Sequence, residues 1–154
     1  MALASLILAG NNAHARLGWT LDQCRNQWGE PVTSGYNQFV GQTAYIFRVS
    51  TGLMVQVYLI KGRVESIEYC TKDKQSLDAN IENILRKNNS GAWKPYADAS
   101  TNTLQTWNVL DEAGGLIAYA MLYEKQDDGF YHFQVSSGLW HDTLKQFYQT
   151  TSNK

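Results

Sequence analysis

The stretch TAYIFRVSTGLMVQVYLIKGRVESIEYC, residues 43–70, decides how the rest of the chain is read. It contains three apolar-rich runs, 43–49, 53–60 and 63–70, separated by Ser50-Thr51-Gly52 and by Lys61-Gly62. Runs of this length, rich in β-branched and aromatic residues and broken by short glycine turns, predict antiparallel hairpins. The two-residue period of a strand then assigns faces. Leu53, Val55, Val57 and Leu59 share one side, and Met54, Gln56, Tyr58 and Ile60 share the other. The third run departs from strict alternation, because Val64 and Ile67 share a face only if a bulge intervenes.

Upstream, Thr20-Leu21-Asp22 opens a helix. Thr20 caps it, and Asp22 puts negative charge where the helix dipole favours it. Leu21, Cys24 and Trp28 fall on one face, and Gly29 and Pro31 end the segment. Downstream, Ser76-Leu77-Asp78 opens a second helix with Leu77, Ile81, Ile84 and Leu85 as its stripe, ended by the polar residues at 88–91. Three further strand-like runs follow, 104–110, 115–123 and 130–136, with turns at 111–114 and 126–129. The order helix, strand, strand, strand thus occurs twice. Residues 139–149 predict a last helix with Trp140, Leu144, Phe147 and Tyr148 on one face, closing one end of the sheet or packing on the second half.

A helical stripe and a three-stranded meander each need a partner surface. The expected fold is therefore α+β: two tandem units, 16–74 and 75–154, forming a six-stranded antiparallel sheet with both helices on one face. In the second unit, Leu116, Ala118, Ala120 and Leu122 go beneath the helix, where alanines permit close approach. Ile117, Tyr119, Met121 and Tyr123 take the opposite face.

Composition limits the function. The chain has 154 residues, 44% hydrophobic and 18% charged, enough apolar material for one folded domain. Thirteen basic and fourteen acidic residues leave a net charge of −1, so no positive field draws nucleic acid. Residues 1–15, MALASLILAGNNAHA, read as a secretory signal: a short apolar run followed by Ala13-His14-Ala15 at the cleavage site. The mature chain then starts near Arg16 and is secreted or periplasmic. No cysteine adjoins that site, so no lipid or other stable membrane anchor is expected. In an oxidising compartment Cys24 and Cys70 are a candidate disulfide. Closing that loop of about 46 residues is worth about 4 kcal/mol on the chain-entropy model. The alternative is two independent buried thiols.

The run from Gly18-Trp19-Thr20-Leu21-Asp22-Gln23-Cys24 to Gly29-Glu30-Pro31, followed by a meander, resembles a known opening. It is similar to the G-x-T-x-x-x-V…G-x-P pattern of the SmpA/OmlA small lipoproteins and of the β-lactamase-inhibitor-protein-like fold. The likeness covers residues 17–70 by motif and 76–136 by order of elements. Cys24 replaces the usual aliphatic residue, and the second unit lacks both the leading glycine and the G-x-P exit. The resemblance implies an exported binding module, in the inhibitor-type members a tandem one, whose sheet face meets another protein.

Catalytic patterns are sparse. There is no HExxH, no G-x-S-x-G, no phosphate loop and no CxxC. His132, His141 and Asp142 are the candidates for a metal or acid–base cluster, though no ligand spacing requires one. No cofactor or metal is expected. Asp111-Glu112 and Asp127-Asp128 sit beside glycines and read as turn residues. The aromatic excess remains, at 12% of the chain. On the assigned phases the uncovered sheet face displays Arg48, Gln56, Tyr58, Asn108, Tyr119, Met121, Tyr123, His132 and Gln134. Rigid aromatics mixed with hydrogen-bonding groups suit protein recognition. The expectation is a non-catalytic module binding a protein partner through this face. The competing outcomes are a face covered by the C-terminal segment or by a second copy as a homodimer, a small hydrolase or metal-dependent enzyme using His132 and His141, and an apolar-ligand carrier.

Overall fold

The computed structural model describes residues 16–89, 91–124 and 126–151. The stretch 1–15, expected from the sequence to be a secretory signal, lies outside them. Helix α1 (Leu21–Trp28) begins as expected. Thr20 Oγ1 accepts from Gln23 N, and the Gln23 side chain accepts in return from Thr20 N, a reciprocal capping box. Gly29 closes it at φ +82, a left-handed conformation that favours glycine.

The meander is formed by β2 (Gln42–Ser50), β3 (Leu53–Ile60) and β4 (Arg63–Thr71), preceded by β1 (Thr33–Asn37). The bulge required between Val64 and Ile67 is present. Leu59 pairs with Val64 and Tyr58 with Ser66, leaving Glu65 as the extra residue. The predicted second helix is divided. Asp73 caps α2 (Lys74–Asp78), Ala79 and Asn80 break the run, and α3 (Ile81–Asn88) carries Ile81, Ile84 and Leu85 into the core. Then come β5 (Lys94–Pro95), a short 3-10 turn (Ala97–Ala99), β6 (Leu104–Leu110), β7 (Leu116–Tyr123), β8 (Tyr131–Ser137) and α4 (Gly138–Thr151).

The strands form one antiparallel sheet in the order β1-β2-β3-β4-β8-β7-β6-β5. It has eight strands where six were expected, because Thr33–Asn37 and Lys94–Pro95 extend the two edges. Those segments contain Gly35, Asn37 and Pro95, which mask a strand signal. The last strands of the two meanders, β4 and β8, meet at the centre.

One face carries the main core. Phe47, Val55, Val57, Val64, Ile67, Tyr69, Ala120, Leu122, Phe133 and Val135 pack with Cys24, Leu77, Ile84 and Leu85 from the helices. This is the side assigned from alternation. Trp28 lies 5.2 Å from Phe47 by ring centroids, and Trp93 seals the edge by donating Nε1–H to the Leu85 and Asn89 carbonyls.

The opposite face is partly covered by α4. Its Trp140 is 1% exposed and packs at a tilt against Tyr58, ring centroids 4.9 Å apart, with Ala44, Val40, Ile60, Tyr119 and Leu144 around it. The helix leaves β8 without a linker because Gly138 lacks a Cβ; one there would lie 2.1 Å from the Leu116 carbonyl oxygen. Ser137 Oγ accepts from Trp140 N in the first turn. Of the predicted stripe, Trp140, Leu144 and Phe147 face inward, whereas Tyr148 is 50% exposed. No helix among the described residues is long and apolar enough to cross a membrane.

Candidate functional site

Strand register fixes which of the predicted site residues meet. Three rows run across the second face. Arg48, Met54, Cys70, His132, Tyr123 and Leu104 form the first. Ile46, Gln56, Glu68, Gln134, Met121 and Thr106 form the second, and Ala44, Tyr58, Ser66, Ser136, Tyr119 and Asn108 the third. Helix α4 lies over the third row. Tyr58 was expected on an open face but is 5% exposed beneath Trp140. Tyr119 is likewise packed against the Trp140 cluster, and burial pushes its phenol up to about 12. The first two rows are less covered: of their residues only Thr106 is buried. There Gln56, Met121, Tyr123, His132 and Gln134 are half-buried and Arg48 is exposed.

Beneath this surface the polar groups are joined. Ser66 and Ser136 share a hydrogen bond of 2.8 Å, both fully buried, and Gln134 Nε2 donates to Ser66 Oγ at 2.8 Å. Gln56 Nε2 donates to Tyr58 Oη at 2.5 Å and to Glu68 Oε2 at 3.2 Å. Asn37 Nδ2 donates to the same phenol at 3.0 Å. Such networks lock side-chain rotamers, so the face is presented rigidly.

At the seam, β4 and β8 bring together groups distant in sequence. His132 Nδ1 lies 2.8 Å from Glu68 Oε1 and 3.5 Å from Cys70 Sγ, and its Nε2 lies 3.0 Å from Asp128 Oδ2. A carboxylate at each ring nitrogen selects the doubly protonated imidazolium. The bonds with Cys70 and then Glu68 hold the His132 pKa up, at about 11, against the opposing effect of burial. The Asp128 carboxyl is held below its usual range, first by the Phe130 backbone N–H and also by His132. Burial raises the Cys70 thiol, and its bond with His132 only partly offsets that. A thiol so held is poorly poised as a nucleophile, although His132 bonds both Cys70 and Asp128.

The competing arrangement, a cluster of His132 with His141, does not form. His141 stands edge-on to Tyr119 at 6.1 Å and bonds Asp142 at 3.3 Å. His132 is paired with Tyr123, four residues further along β7, or about 13 Å at strand rise. The real neighbours, Glu68, Cys70 and Asp128, were missed as a set. Glu68 and Cys70 share strand parity, and Asp128 precedes His132 by one turn's length, but only the β4–β8 register joins them. The candidate disulfide is also absent: both cysteines are free. Cys24 is buried in the helix-side core, whereas Cys70 lies on the other sheet face, so the sheet itself separates them. Burial raises the Cys24 thiol to about 11. Asp111 is a turn residue as expected, its Oδ1 accepting from Ala113 N and Gly115 N.

A shallow open pocket of about 440 Å³ flanks the cluster, lined by Glu68, Tyr123, Gln126, Asp127, Asp128, His132 and Gln134. At the far edge, Val32, Tyr36 and Phe39 are exposed beside β1, at 53%, 68% and 71%.

No protein-family model matches the chain, and no curated protein matches it significantly. Among solved structures it is similar to an extracellular protein containing a SCP domain from Bacillus anthracis str. Ames, determined at 1.5 Å. The TM-score is 0.46 and the identity 11%, covering 83% of this chain and 47% of that one. The chain thus spans about half the length of the protein it matches, and a likeness of that size carries neither a family nor a role.

Proposed function

We propose that this chain is an exported, non-catalytic module of two related helix-plus-meander units that binds a protein partner through the uncovered part of its second sheet face. The observation that carries it is the pair of open rows, in which Met121, Tyr123 and Met54 alternate with Gln56, Gln134, His132 and Arg48. An aromatic and two methionines on a rigid, internally hydrogen-bonded base bury apolar area at small entropic cost, and the polar groups between them set register. The two-unit organisation is supported by the mirrored strand order about the β4–β8 seam and agrees with the resemblance to the β-lactamase-inhibitor-protein-like fold. Covering by α4 centres the contact on the first two rows and removes Tyr58 and Tyr119 from it, while Asn108, half-buried beside β5, stays at its rim.

The test is affinity capture from the native envelope or secretome by the immobilised chain, repeated with Tyr123→Ala and Gln134→Ala. Each variant should melt within about 1 kcal/mol of the parent, and retention of the captured protein should fall about tenfold or more, as at a hot spot. Unchanged retention in both variants refutes the reading. Loss on Tyr36→Ser and Phe39→Ser instead would place docking at the β1 edge, by strand addition.

A further inference from the structure

The geometry points to a transition-metal site at the sheet seam, in which Glu68 Oε1, Cys70 Sγ and His132 Nδ1 bind one zinc-like divalent cation. These donor atoms all lie within 4.8 Å of one another. Tetrahedral zinc, with bonds of about 2.3 Å to sulfur and about 2.0–2.2 Å to nitrogen and oxygen, separates its donors by about 3.3–3.6 Å. The Cys70–His132 distance of 3.5 Å already matches, and the Glu68–His132 distance of 2.8 Å needs a small opening.

The groups behind these donors are placed as such a site requires. His132 offers Nδ1 to the cluster while Nε2 faces Asp128 Oδ2 at 3.0 Å, the carboxylate–histidine arrangement that fixes ring orientation and raises ligand basicity. Glu68 offers Oε1 while Oε2 accepts from Gln56 at 3.2 Å, leaving one oxygen oriented toward the cluster. An imidazole, a thiolate and one carboxylate select zinc or cobalt over magnesium or calcium. All three donors project from paired central strands, so little ordering entropy is lost on binding. The fourth position opens onto the uncovered face, where water or a donor from outside the chain completes it. The thiol and Nδ1 give up their protons to solvent as the ion enters. The site stands independently of the protein-binding reading, and either can fail alone.

The experiment uses the reduced, chelator-treated full chain titrated with cobalt(II) chloride, then with zinc chloride in competition. One equivalent should bind, with a thiolate-to-cobalt charge-transfer band and tetrahedral visible absorption, both removed by zinc and not by magnesium. Cys70→Ser should abolish the charge-transfer band, and Cys24→Ala should retain it. Asp128→Asn, at an exposed turn position, should fold as the parent does and weaken binding about 10–100-fold. Absence of cobalt binding by the folded chain, or a thiolate band that survives Cys70→Ser, overturns the proposal. Unaltered affinity in Asp128→Asn would refute the role given to Asp128.

Discussion

Replacing Trp140 with alanine tests whether α4 is part of the folded core or merely rests on the sheet. Trp140 is 1% exposed and packed at a tilt against Tyr58, ring centroids 4.9 Å apart. Truncating a buried tryptophan costs about 3–5 kcal/mol in lost burial and cavity formation. Among the described residues its indole Nε1–H has no acceptor, so removing it returns about 1 kcal/mol. The expected net loss is about 2–4 kcal/mol, a fall of about 4–16 °C in Tm for a chain of this size. A 14-residue helix is marginal by itself, so α4 should detach locally before the sheet unfolds. Urea denaturation gives the free energy, and hydrogen exchange shows where protection is lost. Exchange should rise in α4 and in the segments around Tyr58 and Tyr119. A loss below about 1 kcal/mol with α4 amides still protected would refute the assignment of Trp140 as the anchor.

Three further outcomes follow from the same contacts. The raised His132 pKa means the folded state keeps a proton that the unfolded chain releases near 6.5. Its stabilisation is therefore complete below that pH and is lost as pH rises toward about 11. In metal-free protein, stability should fall by about 1.5 kcal/mol between about pH 6.5 and about pH 8, and His132→Gln should remove that slope in parallel melts. Gly138→Ala should destabilise by about 3 kcal/mol or prevent folding, since the new methyl group meets the backbone carbonyl of Leu116; a melt within about 0.5 kcal/mol of the parent would refute it. Reductant should leave the melting temperature unchanged, because Cys24 and Cys70 occupy opposite sheet faces; a drop of several degrees would indicate a bridge.

Local order was readable over residues 20–29 and 42–70 because each signal there acts over a few positions. Thr20 and Gln23 cap their own helix, Gly29 ends it, and the spacing of Val64 and Ile67 demands a bulge in any sheet that buries both. The break between α2 and α3 was not readable. Leu77 and Ile81 keep helical spacing across Ala79 and Asn80, so the stripe alone conceals it. Tyr58 and Tyr119 were assigned correctly to the second face, yet their exposure depended on where α4 came to rest. Hydrophobic period tells a side chain which way to point and says nothing of what arrives above it.

What the amino-acid sequence determined alone is the six strands of the two meanders, their turns and the side of the sheet each of their residues faces, since these follow from a two-residue period and from glycine and capping chemistry within a turn. What only the tertiary structure decided is the meeting of β4 with β8. That pairing sets Cys70 opposite His132, 62 residues away, brings Glu68 beside them, and puts Cys24 out of reach. Edge-to-edge pairing is a choice among whole-sheet arrangements, made by the burial of both meanders under the same helices, and no local stretch of sequence carries it.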